Sequence, residues 1–233
     1  SAMMGNSTAM TNMIALWREM LPGEDGQLMS PLFDKQYDLL YGAWPTRYDE
    51  VMLIVDQDGE LSDLTLYALG LIPRENIDAL MRAALNREPF VYEARGWAYE
   101  EICALDFRVI LNADCYVQNA ETGMYADLRA TDAGLQYLYD NGLKLKVSGI
   151  LKPSADSVAT LLTSGIAYTS LLTEYLVDKG NASPVVQQQL ASPDTDILTG
   201  LPFPNGVALT DEAKVQAFRD HLAGLDEAGK AQA

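Results

Sequence analysis

The sequence predicts an α+β fold, a mixed domain with helical termini around a central sheet. Three observations lead there. Val51-Met52-Leu53-Ile54-Val55 is too short an apolar run for a membrane span and too uniformly apolar for a half-exposed strand, so it reads as a strand buried on both faces. In "LKLKVSGILKP", Leu143, Leu145 and Val147 alternate with Lys144 and Lys146, which describes a strand with one solvated face until Gly149 and Pro153 close it. Toward both ends of the chain, apolar residues recur at helical spacing instead.

Taken in order, Met10, Met13, Ile14, Trp17, Met20 and Leu21 predict an amphipathic helix that stops at Pro22-Gly23. Its methionine stripe reads as core rather than as an adaptable binding face. Residues 37–41 follow as a short strand, then the Gly42-Ala43-Trp44-Pro45 turn, then the buried strand at 50–56. Ser62 or Asp63 can cap a helix that ends at Gly70. Residues 74–86 form a second helix, with Ile77, Leu80, Met81, Ala84 and Leu85 on one face. Between 90 and 117 the pattern becomes strand-like, in "FVYEAR", "ALDFRVIL" and "CYVQN". Residues 132–140 are helical up to Asn141-Gly142. In the last third, Tyr168, Leu171, Leu172, Tyr175 and Leu176 make one helical stripe. Ser183 caps a helix with Pro184 at its first position. Thr210-Asp211-Glu212 starts a terminal helix whose stripe is Val215, Phe218, Leu222 and Leu225. Residues 1–233 thus form one domain with two expected lobes, one from both chain ends and the central strand, the other an insertion at about 71–141.

Composition excludes some partners. The chain carries 33 acidic and 16 basic residues, a net charge of -17. Neutralising phosphates needs clustered Lys and Arg, so neither nucleic acid nor an anionic lipid surface is an expected partner. Mean hydropathy is -0.04, and no apolar stretch reaches the roughly 20 residues of a spanning helix. The chain opens without a recognisable signal, which fits a cytosolic protein or a piece of a larger one.

The usual catalytic and metal signatures are not expected either. His221 is the single histidine and sits among acidic and alanine residues, with no nucleophile elbow nearby. Cys103 and Cys115 lack Cys-x-x-Cys spacing and histidine neighbours, which argues against zinc. Two turn-joined strands could bring them into a disulfide; two small buried thiols are the preferred reading. "DQDGELSD" offers Asp56, Asp58, Glu60 and Asp63, but Leu61 and Tyr67 stand where an EF-hand loop needs Gly and Glu, so a polar turn is expected. Asp49-Glu50 and Glu100-Glu101 read as solvated charges. No catalytic residue, cofactor or metal is expected.

"YDLLYGAWPTRYDEVMLIVD", then "LYALGL", then "LKVSGILKP" and "GIAYTSLLTEYLV" follow one another in an order that resembles the extracytoplasmic core domain of MacB-type (FtsX-like) ABC transporter permeases. In that family a Gly-x-x-Pro turn introduces a strand reading roughly Asn/Asp-Glu-hydrophobic, as Asp49-Glu50-Val51 does here. A Val-x-Gly-hydrophobic strand closes the domain, matched by Val147-Ser148-Gly149-Ile150. The resemblance spans most of 37–177 and singles out Gly42, Trp44, Pro45, Gly149 and Pro153 as structural motif residues. Family members commonly carry a basic residue before Trp-Pro, where this chain has Ala43.

The resemblance implies a bacterial domain on the outer face of the cytoplasmic membrane, extracellular or periplasmic, inserted between two transmembrane helices. Its implied partners are those helices and a cytoplasmic ATPase, in a dimeric transporter. It implies a non-catalytic domain that couples ATP-driven conformational change to export or release of a substrate. The competing expectation is a free-standing extracellular protein that captures a peptide or lipid in a cleft between lobes. The permease reading goes with no deep, closed pocket and no stabilisation by small ligands. It also expects both chain ends on one side of the domain.

Overall fold

The structure is a computed structural model that describes residues 16–86, 95–157, 159–203 and, singly, 215, 216 and 219. It is α+β, built on a mixed six-stranded sheet. The expectation about the chain ends lies outside the described residues.

The chain enters the sheet with β1 (Trp17–Glu19), a strand where the sequence predicts the end of a helix. The apolar spacing of Trp17 and Met20 suits either state. Parallel pairing with Ile166–Tyr168, and the bond from the Met20 N–H to the Tyr168 carbonyl (2.7 Å), decide for the strand. The part of that predicted helix at 10–15 lies outside the described residues. A short helix α1 (Leu32–Gln36) delivers Phe33 into the core, stacked on Tyr37 with ring centroids 5.7 Å apart. Then come β2 (Tyr37–Gly42) and β3 (Glu50–Ile54), close to their predicted limits.

Helix α2 (Asp63–Ala68) starts on Ser62, whose hydroxyl accepts the Thr65 N–H, as the cap reading requires. Helix α3 (Arg74–Asn86) occupies its predicted range. Of the strand-like stretch at 90–117, residues 90–94 lie outside the description. The rest gives a helix, α4 (Tyr99–Cys103), before the strands β4 (Phe107–Val109) and β5 (Tyr116–Gln118). The Glu101 carboxylate accepting the Ala98 N–H, 2.8 Å away, turns the chain into that unexpected helix. β6 (Tyr125–Asp127) pairs with β5, and α5 (Asp132–Asn141) begins on the Thr131 cap.

β7 (Leu143–Pro153) is the longest strand and matches its predicted range. β8 (Gly165–Tyr168) corrects the helical stripe that was to include Tyr168: "GIAY" is a buried strand, and α6 (Ser170–Ala182) begins only after it. α7 (Pro184–Ala191) has Ser183 as its cap, as predicted, and a small hairpin of β9 (Thr195–Asp196) and β10 (Leu201–Pro202) follows. Val215, Gln216 and Arg219 are helical; the rest of the stretch expected as a terminal helix, with His221, lies outside the described residues.

The sheet order is β1-β8-β3-β7-β2, with β4 also on β7. β3 runs parallel to β7 and antiparallel to β8, so both its edges are paired, and its whole apolar run is buried at no more than 3% exposure. Alternation sends Met52 and Ile54 to one face, where they join Met20, Phe33, Tyr37, Leu151 and Ala167 in one core cluster. Tyr37 is fixed there by two 2.6 Å hydrogen bonds: its phenol donates to the Leu162 carbonyl and accepts the Leu162 N–H. Burial pushes that phenol's pKa up.

The chain divides into two compact units. The described residues of Ser1–Arg108 and Lys144–Tyr175 make one, and those of Val109–Leu143 and Leu176–Ala233 the other. These limits differ from an insertion at about 71–141, because 71–86 stay with the sheet and 176–203 go with the second unit.

Candidate functional site

Four of the five motif residues singled out in the sequence, Gly42, Trp44, Pro45 and Gly149, lie together in the first unit where β2, β3 and β7 meet, while Pro153 sits at the other end of β2. Gly42 is the register partner of Gly149, Tyr41 of Ile150, and Tyr37 of Pro153. On the other side of β7, Met52 is opposite Gly149. The two glycines allow backbones to touch. A Cβ on Gly42 would lie 2.1 Å from the Ser148 carbonyl oxygen, and one on Gly149 would lie 2.7 Å from the Tyr41 carbonyl oxygen. Gly42 also has φ +79, a conformation that side chains disfavour.

The register explains the crowding. β3 pairs Val51 with Val147 but Met52 with Gly149, so Ser148 bulges from β7 without a partner on β3. On the opposite edge Leu40 is the unpaired residue. Ser148 then bonds in three directions. Its hydroxyl donates to the Val51 carbonyl (3.2 Å) and lies 3.1 Å from the Met52 sulfur, while its carbonyl accepts the Ala43 N–H (2.9 Å). No sequence signal marked Ser148, because a bulge is a property of two paired strands.

Past Gly42, Trp44 packs half-buried against the core cluster and Pro45 is buried. The acidic approach to β3 is more organised than the expected solvated charges. One Glu50 carboxylate oxygen accepts the N–H groups of Thr46 (2.8 Å) and Arg47 (3.2 Å), which closes the turn. Asp49 receives Arg47 through two bonds of 2.8 and 3.0 Å, and that guanidinium draws the Asp49 carboxyl below its usual range. Tyr48, between them, stacks on Tyr175 of α6 at 4.2 Å and 9°.

A depressed carboxylate pKa stabilises the fold above the unfolded-state value, and that contribution is lost as pH falls through the folded-state value. Asp49→Asn should therefore lower Tm slightly at neutral pH, by ~1–3 °C for a pair this exposed. The difference from the parent should shrink as pH falls below the ordinary Asp range and vanish once the folded-state carboxyl is protonated. Thermal melts across pH check this; a gap that persists in acid would mean that Asp49 acts by packing.

In "DQDGELSD" the Asp56 carboxylate accepts the N–H groups of Asp58 (2.9 Å) and Glu60 (2.8 Å), the polar turn expected. Among the described residues no group of three or more His, Cys, Asp or Glu could hold a metal ion. Cys103 and Cys115 are both free, and burial raises both thiol pKa values. None of the described helices is long and apolar enough to cross a membrane.

The opposite face of the sheet carries a recess of about 380 Å³, open to solvent, in the same unit. Leu53, Val55 and Ile150 form its floor, Leu66 of α2 and Ile102 of α4 its sides, and Arg95, Trp97 and Tyr99 line it as well. Comparison with known proteins finds no matching family, no matching curated protein and no matching solved structure.

Proposed function

We propose that this chain is the non-catalytic extracytoplasmic domain of a MacB-type ABC transporter permease, coupling ATP-driven conformational change to export or release of a substrate. The single observation that carries the reading is the register pairing of Gly42 with Gly149. The resemblance rests on two motifs far apart in sequence, and their glycines are neighbours through direct backbone contact. The polar groups around them, Ser148, Asp49 and Glu50, are engaged in holding strands and a turn. Such a junction suits a domain that transmits position. In the full transporter the chain lies between two membrane helices, in a dimer, and works with a cytoplasmic ATPase.

The rival, a free-standing extracellular capture protein for a peptide or lipid, draws its support from the open recess. Two measurements on the natural full-length protein separate the readings. The gene should encode an apolar span of roughly 20 residues on each side of this chain. Asp58→Cys, at an exposed turn, should react with a membrane-impermeant maleimide on intact cells (after outer-membrane permeabilisation where one exists), above the parent's background. Absence of both flanking spans sinks the permease reading in favour of the rival, and labelling only after lysis sinks both.

A further inference from the structure

The recess on the sheet face opposite the Trp44 cluster plays no part in the junction of the two motifs. We propose that it is a binding site for a small amphipathic monocarboxylate, with its apolar body against Trp97 and Tyr99 and its carboxylate at Arg95. The inference does not depend on the permease reading, and it departs from the expectation that small ligands leave the domain unaffected.

The floor is dictated by strand alternation. Met52 and Ile54 go to the core cluster, so Leu53 and Val55 turn the other way, joined by Ile150 from β7. Leu66 and Ile102 add side walls, and Trp97 and Tyr99 add aromatic surface. The volume of about 380 Å³ falls in the range of roughly 300–1,000 Å³ typical of small-ligand sites. Leu53, Val55 and Ile150 are themselves at most 3% exposed, so the apolar surface that gains by exchanging water for a hydrocarbon body is that of Trp97 and Tyr99.

The polar groups select the other end of the ligand. Among the described residues of the lining, Arg95 is the single cationic side chain. Its guanidinium sits 5.5 Å over the Trp97 ring, and the ion pairs found among the described residues do not include it. In a chain of net charge -17, a guanidinium with no carboxylate partner among the described residues, lying over an indole, is a ready hydrogen-bond donor for a ligand carboxylate. Glu60 also lines the recess. Its charge disfavours a second anionic group on the ligand, which narrows the class to monocarboxylates.

Octanoate, 1-octanol and suberate share one chain length and differ in end groups, so they test the proposal on the isolated chain. Tm and tryptophan fluorescence are the readouts. Octanoate at about 1 mM should raise Tm by a few degrees. It should bind about tenfold more tightly than 1-octanol or suberate, as expected for one partly exposed charge-assisted contact. Arg95→Gln should reduce octanoate to the 1-octanol level. Gly96→Phe should block the recess, since Gly96 lines it and a Cβ there meets nothing within 4 Å. Should either variant fold poorly, the ranking of the three ligands on the parent decides alone. Equal affinities for all three, no binding of octanoate by about 10 mM, or unchanged octanoate binding in a folded variant would overturn the proposal. The labelling test on cells is independent, so failure of one reading leaves the other standing.

Discussion

Gly42→Ala is expected to lower the unfolding free energy by about 3 kcal/mol or more, the sum of a left-handed backbone penalty and a steric clash. For a chain of this length that corresponds to a fall in Tm of roughly 6–12 °C. The two contributions can be separated within the same molecule. Gly70 also has a positive φ, +72, but an added Cβ there meets nothing within 4 Å. Gly70→Ala should therefore cost only the conformational penalty of about 1–2 kcal/mol. At Gly42 the new methyl would press on the Ser148 carbonyl, which accepts the Ala43 N–H, so β2 and β7 must separate or the bulge must flatten. Denaturant melts of both variants measure the difference. Equal losses would show that the backbone conformation alone selects glycine, and that the close approach of the strands is not what Gly42 protects.

What could be read from the sequence follows how local each signal is. The run 51–55 reads as a strand buried on both faces, and in the structure each of its residues is at most 3% exposed between the paired strands β8 and β7. Ser62, Thr131 and Ser183 lie next to the helices they start, so Ser183 is legible as a cap and Ser62 as one of two candidates beside Asp63. The misreadings concern segments whose state is chosen by a distant partner. Trp17–Glu19 is a strand because residues 166–168 lie beside it, and 165–168 is a strand because Leu53 and Met52 lie beside it. Helical spacing in the sequence cannot weigh either pairing. Tyr99–Cys103 is helical although aromatic and apolar residues around it favour strands; Glu101, read in the sequence as a solvated charge, instead accepts the Ala98 N–H at the helix start.

The junction was legible as residues but not as geometry. Gly42, Trp44, Pro45, Gly149 and Pro153 could be named from motif order. The pairing of Gly42 with Gly149, the bulge at Ser148 and the stacking of Tyr48 on Tyr175 depend on register, which no single segment encodes. The recess is further removed still, since its lining comes from β3, β7, two helices and the segment at 95–97. In the sequence, Arg95 merely ends the strand-like "FVYEAR".

Trp44→Ala should lower stability by about 2–3 kcal/mol, below the ~3–5 kcal/mol of a fully buried tryptophan because Trp44 is only half covered. That is roughly 4–12 °C in Tm. The indole packs on the cluster of Met20, Phe33, Tyr37, Met52, Ile54, Leu151 and Ala167, so its loss exposes the side of the core nearest the turn. Pro45 restricts the backbone of Trp44 to extended conformations, which holds the ring over that cluster without much entropy left to lose. The turn in its turn sets the start of β3, where a slip of one residue would send Met52 and Ile54 to the recess face and Leu53 to the cluster. A Trp44→Phe variant should recover more than half of the loss, because a smaller ring still covers the cluster. Thermal melts of the purified variants read both effects. Should Trp44→Ala melt with the parent while the intact protein loses its activity, the exposed edge of the indole would be a contact surface for a partner, and the anchoring role assigned here would fall.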